Sequence, residues 1–266
     1  MWFGRKKKRP PTTKDVAQRA IALSHVVRYA FAIPQRGRMK DPASLPPDEL
    51  AKFRAAAEKV RDEYWASLGP YREELTPKER EFAGTTMETM TARQHVNASW
   101  RLESFQVLLW SIGALERLPP WDERAAHDLV KVPAAAMGPK FLALSVMRPR
   151  TELERQRQLA ETWHWRSRTR RLIEEGETFE ASPEMKKAGL DSYDAIVRFT
   201  TKQLEKSGEL QQVVDEDFGV GGKAYRDLSD EEWANVTSIT VERHFALNWL
   251  CGYAPENRWD ETPTDT

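Results

Sequence analysis

The sequence predicts an all-α fold, a compact multi-helix domain with little or no β structure, and three observations support this prediction. Apolar residues recur every three or four positions through most of the chain, which is the period of an amphipathic helix. Ser or Thr with Glu three positions later precedes some of these runs, as at Thr76 and Ser229, and such pairs start helices. Of 266 residues, 40% are apolar and 31% are charged, a balance typical of a helix-rich protein with a sizeable core.

The first two predicted helices each carry one apolar stripe and end at a proline or a glycine. Thr12 and Asp15 form a capping box at the start of the first helix, which ends before Pro34. The second helix ends at Gly69, and residues 34–47 between the two helices hold four prolines. The stripes consist of Val16, Ala20, Leu23, Val27 and Phe31, and of Leu50, Phe53, Ala57, Val60, Tyr64 and Leu68. We expect both stripes to pack on the core.

A third helical region begins with the capping box of Thr76 and Glu79 and is interrupted near Gly84. Between residues 105 and 112 its pattern is apolar on nearly all sides, which predicts a position at the centre of the fold. Prolines interrupt residues 117–149, and this predicts short helices and loops.

The C-terminal half is predicted to hold three more helices and little else that is regular. Thr151 with Glu154 predicts the cap of a long helix, and residues 191–206 predict a shorter one. Ser229 caps the final helix. The stretch FGVGGKAY, residues 218–225, predicts one short extended piece, and its glycines are typical of a turn rather than of a phosphate-binding loop.

The chain is expected to comprise a basic flexible tip (residues 1–12), N-terminal helices packed on the core (13–75) and a helical core (76–266). The formal net charge is zero, but the charge is unevenly spread. Eleven of the 41 Lys and Arg residues, and one of the 41 acidic residues, lie in residues 1–40. The sequence therefore predicts a basic arm on a mildly acidic body.

Five consecutive bases in the tip suggest attachment to an anionic membrane surface. These bases are Arg5, Lys6, Lys7, Lys8 and Arg9. Each contributes about 1 kcal/mol near such a surface, so the attachment would be weak and sensitive to salt. A solvated terminus is the favoured interpretation, because runs of like charge are commonly solvated. Nucleic acid is not an expected partner, since no groove-reading motif follows the tip.

The sequence lacks the motifs of several kinds of chemical site. The single cysteine, Cys251, excludes an internal disulfide and a multi-cysteine zinc site, and its apolar neighbours suggest a small buried side chain. No two of the five histidines lie three to five positions apart, so no metal site is expected. We expect no cofactor and no catalytic residues. Pro10 and Pro11 follow the basic start where a secretory signal would need an apolar stretch, which favours a cytoplasmic location.

Charges on the final helix are the most informative feature of the chain. Glu242, Arg243 and His244 lie where this helix changes from amphipathic to fully apolar. Burial of such groups costs several kcal/mol unless they are paired. The expected partners are Arg101, Glu103, Asp260 and Asp265.

Two interpretations of these charges stay open. A closed network would hold the C-terminal helix and tail on the core. An incompletely closed one would leave a polar pocket for a small ligand. The tryptophans expected at its wall are Trp110, Trp163, Trp249 and Trp259. The closed network is favoured, because buried ion networks commonly have a structural role without performing chemistry.

The end of the chain resembles a bacterial family, domain of unknown function 4272. The resemblance rests on the segment ERHFALNWLCGYAPENRWDETPTDT, residues 242–266. Two further stretches are similar, WRLESFQVLLWSIG at 100–113 and MRPRTELERQRQLAETWHWRSR at 147–168. The whole resemblance extends over roughly residues 76–266. The resemblance implies a mostly helical fold, and it implies no activity and no catalytic residues.

The function predicted first is a non-catalytic, cytoplasmic binding or protein-interaction protein with an unidentified protein partner. The first alternative is a small-molecule-binding protein or enzyme, with Glu103, Arg243, His244 and Asp260 around the tryptophan-lined pocket. The second alternative is a peripheral membrane protein attached through the basic tip. A pocket favours the first alternative, and an exposed apolar patch favours the interaction protein.

Overall fold

Four long helices form the body of the computed structural model, which describes residues 10–32, 45–86, 88–131 and 138–264. Helices α4 (Ala92–Ser111) and α9 (Asp230–Leu250) pack against each other. Helix α1 (Thr13–Ala32) packs on α4, and α6 (Arg150–Glu174) packs on α9. The mostly helical fold predicted from the sequence is confirmed.

Capping boxes start three helices where the sequence predicts them, and a further one, formed by Thr91 and Gln94, starts α4. Thr12 Oγ1 accepts from Asp15 N, and Asp15 Oδ2 accepts from Thr12 N. The same reciprocal pairs start α3 (Pro77–Ala83), at Thr76 with Glu79, and α9, at Ser229 with Glu232. Each box satisfies two N–H groups that the first helical turn leaves without partners.

Helix α6 begins differently from the prediction. Its N-terminal flanking residue is Pro149, and no side chain caps the helix. The cap predicted from Thr151 and Glu154 is therefore wrong. The Glu154 carboxylate instead accepts from Arg150 at 2.6 Å and from Arg157 at 3.0 Å. Glu154 therefore forms ion pairs with arginines about one helical turn away instead of taking part in a cap.

The apolar stripes of the N-terminal helices are less buried than their pattern predicts. On α1, Val16, Ala20, Leu23 and Val27 are buried, but Phe31 is 39% exposed. Helix α2 (Pro47–Ala66) buries Trp65, whereas its Val60 is 64% exposed. Its apolar face is therefore only partly covered by the described residues.

Short helices and a small sheet complete the chain. The helices α5 (Gly138–Leu144), α7 (Pro183–Lys187) and α8 (Tyr193–Lys206) connect the long ones. Further 3₁₀ turns span Gly69–Glu74, His127–Lys131, Tyr225–Asp227, Pro255–Asn257 and Trp259–Glu261. Strands β1 (Val213–Val214), β2 (Asp217–Val220) and β3 (Lys223–Ala224) form an antiparallel sheet in that order.

The glycine-rich stretch is the turn of the β2–β3 hairpin. Val220 pairs with Lys223, so Gly221 and Gly222 form a two-residue turn with φ of 55° and 82°. Positive φ at both positions is the conformation that glycine adopts without strain. The sequence predicts one extended piece here, and the structure shows that the piece folds back on itself.

The core is continuous from α1 through α4 and α9 to α6. Phe105, Val107, Leu108 and Leu109 are buried in its centre, as the all-round apolar pattern predicts. Cys251 is fully buried, and this burial raises the pKa of its thiol to about 12. No helix within the described ranges is long and apolar enough to cross a bilayer.

Candidate functional site

A fully buried arginine on α9 connects the centre of the fold to the loop that follows α4. Nε and Nη2 of Arg243 each lie 3.0 Å from Oε2 of Glu103 on α4. The other guanidinium hydrogens are donated to the carbonyl oxygens of Pro119 and Pro120, each at 2.9 Å, and of Glu123 at 2.7 Å. This arginine therefore closes a network that includes the backbone of residues 119–123.

The partner carboxylate binds the same loop. Oε1 of Glu103 accepts from Ala125 N at 2.7 Å, so both oxygens of this buried side chain are satisfied. Burial lowers the pKa of Arg243, and the carboxylates of Glu103, Asp122 and Glu123 oppose that lowering. Breaking such a buried pair typically costs about 3–5 kcal/mol. The pair thus determines the conformation of the loop.

Glu242 pairs with α4 at the edge of the same interface. Its Oε2 accepts from Arg101 at 3.1 Å and from Ser104 Oγ at 2.7 Å. The Arg101 guanidinium carbon lies 4.5 Å from the centre of the Phe245 ring. Arg101, like Glu242, is only partly buried, so this pair contributes less to stability than the one at Arg243.

His244 is enclosed between α9, α6 and the C-terminal tail. Nδ2 of Asn248 donates to Nε2 of His244 at 2.9 Å and to the Pro263 carbonyl at 2.8 Å. Because Nε2 accepts, neutral His244 carries its proton on Nδ1 and donates it to Nδ1 of His164, 3.1 Å away. Burial, followed by the charges of His164 and Arg157, lowers the pKa of His244 to about 3. This histidine is neutral at physiological pH.

The tryptophans of the tail pack on the end of α9. The ring centres of Trp249 and Trp259 lie 5.1 Å apart, and Trp249 Nε1 donates to the Asn257 carbonyl at 2.9 Å. Asp260 Oδ2 accepts from Lys78 N on α3 at 3.2 Å rather than from the α9 charges. Asp265 and the tip bases Arg5 to Arg9 lie outside the described residues.

The four tryptophans expected around one pocket contact different neighbours. Trp249 and Trp259 are together, whereas Trp110 packs under Arg148, whose guanidinium carbon is 5.0 Å from the ring centre. Trp163 on α6 stacks on Trp121, with ring centres 6.0 Å apart and planes inclined by 18°.

A cavity of about 340 Å³ opens at this second pair of tryptophans. It lies between the loop after α4, helix α6 and the small sheet. Its described lining consists of Pro120, Trp121, Asp122, Glu123, Trp163, Gln211, Gln212 and Gly219. We take this cavity as the candidate site, because the Arg243–Glu103 network holds the loop that forms one of its walls.

The sheet wall of the cavity is tied to the loop wall. Gly221 N donates to Asp122 Oδ2 at 3.1 Å, and Gly222 N donates to Gln212 Oε1 at 3.3 Å. A Cβ on Gly219 would lie 2.6 Å from Cγ of Gln212, so only glycine permits this approach. The hairpin N–H groups are thus used to hold the two walls in place.

The charge at the described walls of this cavity is negative. Asp122 and Glu123 contribute two carboxylates, and no Lys, Arg or His is among the described lining residues. The nearby charge of Arg243 is compensated by Glu103. Nε1 of Trp163 has no acceptor among the described residues, but it is buried and not exposed to the cavity. The cavity therefore combines an aromatic wall with two acids.

Trp121 and its acidic neighbours were missed by reasoning from the sequence. The signal was present in LPPWDE, residues 118–123, where a tryptophan stands between two prolines and two acids. Within the described ranges, no group of three or more His, Cys, Asp or Glu side chains could hold a metal ion.

The chain matches, over residues 3–184, the sequence model of a family described as Domain of unknown function (DUF4272). The chain belongs to the DUF4272 family. The DUF4272 match begins in the N-terminal tip and includes the stretches 100–113 and 147–168, whereas the terminal segment 242–266 lies outside it. It covers Trp121 and Trp163 but not Arg243. A search of curated proteins and a search of solved structures each found no match.

Proposed function

We propose that this protein binds a small organic cation in the cavity at Trp121 and Trp163. The observation that carries the proposal is an aromatic wall with two carboxylates and no base among its described residues. The volume of about 340 Å³ lies at the lower end of small-molecule sites. The ligand is therefore small and carries an ammonium or guanidinium group.

Electrostatics favours a cation over a neutral or anionic ligand. The Arg243–Glu103 pair is internally neutral, so Asp122 and Glu123 leave two formal negative charges at the wall. A charge near these carboxylates interacts more strongly than it would in water, because the protein side of the cavity has a lower dielectric constant.

Binding, rather than catalysis, is the activity we propose. His244 on α9 and Cys251 at its C-terminal end have two of the most strongly shifted pKa values, and both side chains are buried in the core. Both shifts favour the neutral form, which leaves the thiol unreactive. The carboxylates of the cavity provide recognition, and the rings of Trp121 and Trp163 provide apolar contact for the carbon skeleton of the ligand.

The other functions predicted from the sequence stay predictions. Large apolar side chains exposed by 39–70% lie on six different helices or directly after them. They are Phe31, Val60, Val96, Leu144, Val146, Ile173 and Phe199. Side chains scattered in this way are ordinary and do not define a docking face for a protein partner. Membrane attachment through residues 5–9 and a cytoplasmic location also stay predictions.

Calorimetric titration with choline tests the proposal. The neutral control is 3,3-dimethyl-1-butanol, which has the same shape as choline but carries no charge. We expect choline to bind and the neutral alcohol to bind at least about tenfold more weakly, which corresponds to about 1.4 kcal/mol. Agmatine serves as a guanidinium probe in the same assay. Equal binding of the alcohol, or no binding of either cation, contradicts the proposal.

Variants locate the binding. Glu123→Gln removes one charge from the cavity wall and leaves the backbone carbonyl that Arg243 uses. Its matched control is Glu231→Gln, which removes an exposed charge in the first turn of α9. Glu123 is exposed, and an exposed charge interaction contributes up to about 1 kcal/mol. We therefore expect cation affinity to fall about fivefold in the first variant and to change less than about twofold in the second. Equal effects would show non-specific attraction.

A further inference from the structure

A second cavity, formed by the N-terminal helices, has the opposite chemistry. Its volume is about 460 Å³, and it lies between α2, the 3₁₀ turn Gly69–Glu74 and α3. Its described lining consists of Arg61, Asp62, Trp65, Arg72, Glu73, Leu75, Arg80, Ala83 and Gly84. Three arginines from three successive elements therefore converge on one cavity.

The three guanidinium groups differ in how far they are already engaged. Arg61 Nε donates to Asp62 at 2.9 Å, and its Nη1 donates to the Gly84 carbonyl at 3.3 Å. Arg80 Nε donates to the Leu75 carbonyl at 2.8 Å, an arrangement that holds the side chain against the 3₁₀ turn. Arg72 makes no side-chain hydrogen bond or ion pair with the described residues, although it lies on the same wall. Its donors are available to a ligand.

The remaining lining residues complete an environment for an anion with an apolar part. Asp62 is paired with Arg61, and the Arg61 hydrogen bond, together with the weaker effect of the Arg61 and Arg72 charges, lowers the pKa of that carboxyl group. Trp65 is buried, and its Nε1 has no acceptor in the described part of the chain. Leu75 and Ala83 supply apolar surface beside it. With three bases against two acids, the described wall carries a formal positive charge.

We propose that this cavity binds a phosphate monoester, with Arg72 and Arg80 as its main charged contacts. Guanidinium groups present a planar fork of donors that matches the oxygens of phosphate, and they keep their charge at all relevant pH values. A carbon substituent on the phosphate would contact Trp65 and Leu75. The site is independent of the cation site, because no residue lines both cavities.

Calorimetric titration of the whole chain with phenyl phosphate tests this site. We expect binding that weakens as salt is raised, about tenfold weaker binding in Arg72→Gln, and a smaller loss in Arg72→Lys, which keeps the charge but not the fork. The matched control is Arg93→Gln, an exposed arginine in the first turn of α4. It should leave the affinity for phenyl phosphate within about twofold, because it removes charge only at a distance.

Two sources can supply such a phosphate, and a second arm distinguishes them. Sedimentation is measured with phosphatidylcholine vesicles, with and without phosphatidic acid. Arg72-dependent binding to the phosphatidic acid vesicles assigns the site to a lipid headgroup, and Arg72-dependent binding of phenyl phosphate alone assigns it to a soluble phosphate ester. The proposal is wrong if Arg72→Gln changes neither the vesicle binding nor the phenyl phosphate binding. It is also wrong if Arg93→Gln weakens binding as much as Arg72→Gln does. Choline binding should be unchanged in Arg72→Gln, which separates this test from that of the cation site.

Discussion

Replacement of Arg243 by Met tests the network on which the candidate site depends. Methionine fills much of the same volume but removes every donor to Glu103 and to the carbonyls of Pro119, Pro120 and Glu123. It leaves the buried Glu103 carboxylate without its counter-charge. Removal of one partner of a buried pair costs about 3–5 kcal/mol, a large part of the 5–15 kcal/mol that typically stabilises a folded protein.

Thermal unfolding followed by far-ultraviolet circular dichroism measures this loss. At about 2–4 °C per kcal/mol for a chain of this size, the unfolding midpoint should fall by about 10 °C. The control, Arg155→Met, breaks an exposed pair with Glu209 and should cost less than about 1 kcal/mol. Similar losses in the two variants would refute the reasoning.

A second substitution separates the uncompensated charge from the lost hydrogen bonds. Glu103→Gln keeps an oxygen acceptor for Ala125 N and removes the negative charge. The double variant with Arg243→Met should therefore be more stable than the sum of the two single effects predicts, by about 2 kcal/mol. Additive effects would mean that the two side chains do not interact in the folded protein.

Three further predictions concern the core and the surface. Because the folded-state pKa of His244 is lowered from 6.5 to about 3, its stabilising contribution is complete above pH 6.5 and is lost as pH falls. In urea unfolding, the free energy of unfolding should fall by about 2 kcal/mol between pH 6.5 and about pH 5 because of this group. This fall should be smaller in His244→Gln and unchanged in His95→Gln. The Cys251 thiol, buried and with its pKa raised to about 12, should react with Ellman's reagent only after denaturation, and rapid labelling of the native protein would contradict the described burial. Leu108→Ala in the centre should cost about 2–5 kcal/mol in chemical denaturation, whereas Val60→Ala on α2 should cost less than about 0.5 kcal/mol, and equal losses would show that α2 is covered in solution.

Much of the secondary structure could be predicted because it depends on interactions within one helical turn. The capping pairs at Thr12, Thr76 and Ser229 each span three residues, so the chain carries the whole interaction locally. The start of α6 was missed for a related reason, since Glu154 has two competing partners within the same helix. Sequence proximity alone does not decide which of several local partners a carboxylate takes.

By itself, the sequence determined that the chain is helical, where several of its helices begin, and that the charges of α9 need partners. The sequence names Glu103 among four expected partners, and only the tertiary structure decided that Glu103, 140 positions away, pairs with Arg243. Only the tertiary structure placed the small sheet beside a loop tryptophan. The tertiary structure also decided that Phe31 and Val60 are exposed, although both belong to apolar stripes with the pattern of core residues. The physical reason is that period and capping act over a few residues, whereas burial and pairing depend on which helix faces pack together.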